Sequence, residues 1–217
     1  MKKFTFIIVF VLVNAMSFSQ SPFGRLGISI SPLPLLPVNN HMYLKMGIDV
    51  GLSDHFRVFG EYGYGLPNKA YGKVDGYTLK GEIKYKFNSG AILNDFRPNL
   101  YIGFRYYYKN QTLKDSAVTQ PQNTDAYKVG FIIHKQMHAF AIKFGDYEPL
   151  GDKNRFWIDY YIGFGLRMNN IHCSGMTVEE EQNRDYGDSF ILPVLYRCDS
   201  GNTLDVDIGF RLIYFLR

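Results

Sequence analysis

The chain has 217 residues, a formal charge of +4 and 17% aromatic side chains, with 17 Tyr and 18 Phe against one Trp. Its length suits one ordinary domain. Its near-neutral charge makes no electrostatic case for nucleic acid, and beyond residue 20 no apolar stretch reaches the ~18 residues of a membrane helix, which excludes a helical membrane protein.

Lys2 and Lys3 precede an apolar run over 4–13, and a short polar stretch over 14–20 follows. That order is the one a secretory signal peptide has, and Ser17 and Ser19 fit the small-residue positions for cleavage after Ser19. Residues 1–19 are therefore expected to be a signal, leaving 20–217 as the mature domain. Loss of Lys2 and Lys3 lowers the formal charge from +4 to +2. No cysteine sits just after the cut, which argues against a lipid anchor.

From there on the dominant pattern is alternation with period two, the signature of a half-buried strand. A weak instance at 23–30 is followed by a clear one at 42–52, where Met42, Leu44, Met46, Ile48 and Val50 oppose Tyr43, Lys45, Gly47, Asp49 and Gly51. Next, 56–64 sets Phe56, Val58, Tyr62 and Tyr64 against Arg57, Phe59, Glu61 and Gly63. Over 77–87, Tyr77, Leu79, Ile83, Tyr85 and Phe87 oppose Thr78, Lys80, Glu82, Lys84 and Lys86. Over 100–108, Ile102, Phe104 and Tyr106 oppose Tyr101, Gly103 and Arg105. A weaker segment at 127–134 follows. Then 156–168 sets Ile158, Ile162 and Phe164 against Asp159, Gly163 and Arg167. Finally 204–216 places Leu204, Val206, Ile208 and Leu212 opposite Asp205, Asp207, Gly209 and Arg211. Gly60 and Gly81 interrupt otherwise apolar faces.

The expectation is an all-β fold, a transmembrane antiparallel up-and-down β-barrel of eight strands. Ser53 to His55 is a tight connection, whereas 31–40, 66–75, 109–125 and 169–202 are long, as short inner turns and long outer loops require. The stretch 135–154 breaks this rule, being long where a short turn is expected. Extra strands at 138–144 and 191–196 would make ten, but would put the longest connection on the periplasmic side.

Alternation alone does not say which face points in. An eight-stranded barrel has an interior just wide enough to be filled by side chains, and the uniformly bulky apolar face would overfill it. The polar face carries most of the strand glycines and a near-balanced charge set: Lys45, Asp49, Arg57, Glu61, Lys80, Glu82, Lys84, Arg105, Asp159, Arg167, Asp205, Asp207 and Arg211. Such charges can pair in a confined lumen, whereas each facing lipid at mid-depth would cost ~2–4 kcal/mol. Tyr and Phe near the strand ends suit interfacial girdles.

The segments LKMGIDVGLSDHFRVFGEYGYG from Leu44, YTLKGEIKYKF from Tyr77, PNLYIGFRYYYK from Pro98, FWIDYYIGFGLR from Phe156 and LDVDIGFRLIYF from Leu204 resemble the small bacterial outer-membrane barrels with OmpA/OmpX-like architecture. The resemblance covers most of the mature chain and is specific for architecture rather than function. It implies location in the bacterial outer membrane, contact with outer-membrane lipids and lipopolysaccharide, and recognition by the barrel-assembly machinery. It implies neither catalytic residues nor a cofactor. The expected role is structural or interactive, as a monomer with a plugged charged lumen and exposed loops, and a small pore is the alternative without chemistry.

One enzymatic alternative rests on His172 and Ser174, which match the His-x-Ser pair of outer-membrane lipid hydrolases and share a face at period two. Gly175 follows where those enzymes carry Asn, and such a pair arises easily by chance; ordinary loop residues are the expected reading. Cys173 and Cys198 flank the longest loop and are a candidate disulfide pair in an exported protein. No metal site is expected, since His172 and two cysteines lack a companion at standard spacing. His134 and His138 are expected to flank a hairpin turn.

Overall fold

The computed structural model describes residues 26–33, 43–66, 74–87, 99–119, 127–151, 155–175, 177 and 200–216. Eight strands follow one another: β1 (Leu26–Ser31), β2 (Tyr43–Gly51), β3 (Phe56–Gly65), β4 (Val74–Lys86), β5 (Leu100–Thr119), β6 (Tyr127–Leu150), β7 (Phe156–Ser174) and β8 (Gly201–Phe215). Each pairs antiparallel with its sequence neighbours, and β8 returns to β1, so the sheet closes as an up-and-down barrel without a free edge.

Register fixes the shape. From Ser29 the cross-strand partners run through Gly47, Glu61, Lys80, Tyr107, Ala139 and Arg167 to Thr203, yet Ser29 itself pairs with Ile213. The row thus closes ten residues out of step, which tilts the strands by about 40° and leaves a bore that side chains can fill.

Three stretches expected to be connections contain strand. The stretch 135–154 is not a connection: β6 runs unbroken through it to Leu150, and a turn near Gly151 leads into β7 at Phe156. His134 and His138 therefore share one face of a single strand rather than flanking a hairpin turn. Residues 138–144 add no strand to the count, and 191–196 lie outside the described residues. β5 likewise continues into 109–125, expected to be a loop, and pairs with β6 as far as Thr119 opposite Tyr127, while β7 runs on to Ser174, into the expected connection 169–202. Ala139 and Ala141 explain the first misreading: they are apolar but occupy the inward, charged face, and so blur the alternation.

Within the barrel the two faces sort as alternation demands. Leu204, Ile208, Leu166 and Ile83 are all more than half exposed on the outside, while Asp49, Asp159 and Arg211 inside are fully buried. Inward glycines stand where the wall leaves no room: a Cβ on Gly47 would lie 2.6 Å from the Phe59 ring, and one on Gly63 2.2 Å from Thr78 Oγ1. Gly60 and Gly81, by contrast, pair with each other on the outer face, where a Cβ would meet open space.

Near the long-loop end this polarity inverts. Tyr108, His138 and Met168 form one outer row; two residues further, the row is Asn110, Gln136 and Asn170. Beyond it the outside carries Thr112, Lys114, His134 and His172, while the inside holds a buried cluster of Leu113, Phe131, Ile133 and Ile171 with Cys173 packed on it. A sheet wet on its outer face buries its apolar residues on the other.

Candidate functional site: the charged interior

The inward residues of all eight strands form a layered stack. At the short-turn end lies an apolar floor of Tyr101, Tyr147, Trp157, Ile213 and Phe215. The ring of Phe215 stacks edge-on to Trp157 at 6.0 Å and lies 4.9 Å below the Arg57 guanidinium.

Above the floor the charges interlock. Asp49 accepts hydrogen bonds from Arg57 Nε at 2.6 Å and the Tyr147 hydroxyl at 2.8 Å. Lys84 Nζ donates to Asp159 at 2.9 Å and to the Tyr147 oxygen at 2.6 Å, and sits 3.5 Å from Asp49. The Tyr101 hydroxyl donates to Asp159 at 2.6 Å. Glu82 accepts from Lys143 at 2.6 Å and from Arg211 at 2.7 Å, and Arg211 lies 3.3 Å from Asp159. These carboxylates come from β2, β4 and β7 and their cations from β3, β4, β6 and β8, so the ion pairs lace the walls together across the bore. The Arg211 guanidinium is further sandwiched between Phe59, 4.0 Å away, and Tyr161, 4.6 Å away.

A second charged tier stands above. Arg105 pairs with both Asp205 and Asp207, the latter at 2.5 Å, and Arg167 also holds Asp205 at 2.5 Å. Lys80 lies 3.6 Å from Asp207 and 4.0 Å from Glu61, whose other partners are Lys45 at 3.9 Å and the Ser31 hydroxyl. Isolated charges withdrawn from water are costly, and this shared pairing offsets that cost.

Each of the thirteen charges named from the sequence lies within 4.0 Å of an opposite charge. Lys143 and Tyr147 lie in 135–154, expected to be a connection, and Ser31, which donates to Glu61, in 31–40, expected to be a loop. The alternation of Met137, Ala139, Ala141, Lys143 and Tyr147 with His138, Phe140, Ile142 and Phe144 was the signal that could have found the first two.

The candidate hydrolase pair is placed elsewhere. His172 and Ser174 lie near the end of β7 on the outer face, beyond the polarity switch, opposite His134 and Ile132. No hydrogen bond joins the two among the described residues, and His134 Nδ1 instead lies 3.2 Å from Thr112 Oγ1. Cys173 is disulfide-bonded, and the one other cysteine of the chain, Cys198, lies outside the described residues. No group of three metal-ligating side chains occurs among the described residues.

Fold and interior together define the class: a closed eight-stranded antiparallel β-barrel with an apolar exterior and an ion-paired interior, compatible with the OmpX-like architecture. The chain matches no protein-family model, no curated protein and no solved structure.

Proposed function

We propose that the chain is a bacterial outer-membrane barrel whose bore is plugged by its own side chains, acting through its outer surfaces rather than by transport. The observation that carries this reading is the apolar band. Large aliphatic and aromatic side chains cover the outside of every strand at exposures that a water-soluble protein of this size does not sustain over so wide an area.

The band has the dimensions of a bilayer core. At its outer boundary Tyr62, Tyr77, Tyr108 and His138 form a ladder of rings with successive centroids 6.3, 6.0 and 5.0 Å apart. At the other end Phe56, Tyr85 and Phe87 contact one another at 5.1 and 5.8 Å. Ten residue steps lead along β4 from Tyr77 to Phe87 just past its end, which at ~3.3 Å per step and ~40° tilt spans about 25 Å, the height of an outer-membrane apolar belt. The inversion of polarity just beyond the Tyr108 row fits strands that leave lipid and enter water there.

The apolar floor and the two tiers of ion pairs support a bore without a continuous water path. The test is reconstitution of the full chain from detergent. Folded protein should insert into phospholipid vesicles, show heat-modifiable gel migration, and give no stepwise conductance in planar bilayers. A protein that stays folded and monodisperse in water without detergent would overturn the membrane reading; steady single-channel currents would overturn the plug.

A further inference from the structure

Above the second tier the bore holds Lys109 and Lys135, which have no ion pair among the described residues, beside Lys45, which shares Glu61 with Lys80. Lys109 of β5 reaches across to β2, its Nζ 5.1 Å from the Tyr43 ring, while Lys45 of β2 reaches back to within 5.2 Å of the Tyr107 ring. Tyr43 and Lys45 share one face of β2, as Tyr107 and Lys109 share one face of β5, so the four side chains cross in the bore. Lys135 of β6 joins them, since its register partner is Gln111, two residues beyond Lys109.

Among the described residues no carboxylate approaches Lys109 or Lys135 within 4.0 Å, and the Glu61 carboxylate near Lys45 is shared with Lys80 and Ser31. The same chamber contains buried polar groups without partners: the Tyr43 hydroxyl, both ends of the Gln111 amide and Asn169 Oδ1. Gln111 is 1% exposed and Tyr43 4%. Of these, the Tyr43 hydroxyl and the Gln111 NH2 are donors that call for an acceptor.

We propose that Lys45, Lys109 and Lys135, with the Gln111 amide and the Tyr43 hydroxyl, form a binding site for a phosphate-type oxyanion in the outer chamber of the barrel. Three ammonium groups and two neutral donors suit a multiply charged ion with several acceptor oxygens; a monovalent halide would leave most of the donors unmatched. The donors lie on the inward face of the strands, and the ligand they fit is a free phosphate or the phosphate of a headgroup. This inference rests on the interior of the barrel alone and stands whether or not the exterior faces lipid.

Isothermal titration of the folded full-length protein in non-ionic detergent, at constant ionic strength set with chloride, tests it. Inorganic phosphate should bind saturably at one site per barrel, and Lys109→Met with Lys135→Met should weaken it at least about tenfold. Lys114→Met, on the outer face, should leave it unchanged. Lys109→Arg, which keeps the charge, should retain most of the affinity and guards against a fold lost in the double variant. Glycerol phosphate binding more tightly than phosphate would support the site with a headgroup as its source; weaker binding would support it with the free ion. Absence of saturable phosphate binding to the unaltered protein, or binding undiminished in a folded double variant, would overturn the proposal.

Discussion

Arg211 on β8 and Glu82 on β4, on opposite walls of the barrel, meet at 2.7 Å through the bore, each fully buried. Arg211 also touches Asp159, and Glu82 also holds Lys143, so this pair ties four strands to one another. Cutting one partner strands the other in a low-dielectric interior.

Arg211→Met and Glu82→Gln should accordingly each destabilise the barrel by about 3–5 kcal/mol. The double variant should lose less than the sum, because neither charge is then left alone. Urea unfolding in vesicles or micelles, read by heat-modifiable migration, measures all three. Additive losses would show that the pair is not coupled.

The exterior makes an opposite prediction. Ile208 is 67% exposed in the middle of the outer face of β8, so Ile208→Arg should cost ~2–4 kcal/mol in a bilayer. His134→Arg, beyond the polarity switch, should cost almost nothing. Equal folding of both variants in vesicles would remove the lipid-facing assignment.

Glycines separate inside from outside by volume alone. Gly47→Ala drives a methyl into Phe59 and Ser29 and should cost about 1–3 kcal/mol, whereas Gly60→Ala meets nothing within 4 Å and should be neutral or slightly stabilising. Comparative unfolding of the two variants decides the matter.

Cys173 packs on the apolar cluster at the outer end of β5–β7 and is oxidised. Peptide mass spectrometry without reductant should recover it linked to Cys198. Reduction should lower stability by roughly 3 kcal/mol, the chain-entropy value for a loop of ~25 residues. Recovery of two alkylated thiols from unreduced protein would refute this.

Much of the molecule was legible in one dimension. Period-two alternation depends only on which residues are adjacent, and it sorted the charged row from the greasy row on six of the eight strands, Lys45 and Asp49 from Leu44 and Ile48 among them. Eight strands enclose too little space for the bulky face, and the charged row is accordingly the buried one. β6 resisted because its inward side carries Ala139 and Ala141, small residues chosen to leave space for neighbours on other strands, and a volume constraint of that kind leaves no local pattern.

What only the tertiary structure decided is who meets whom. Asp49 with Arg57 is separated by eight residues and Glu82 with Arg211 by 129. Closure of the sheet, ten residues out of step, sets which inward side chains share a level of the bore. That offset is a property of the whole ring of strands, so no segment of sequence contains it. The cations at the outer end became visible only once closure had set which carboxylates share their level, and among the described residues Lys109 and Lys135 have no ion pair.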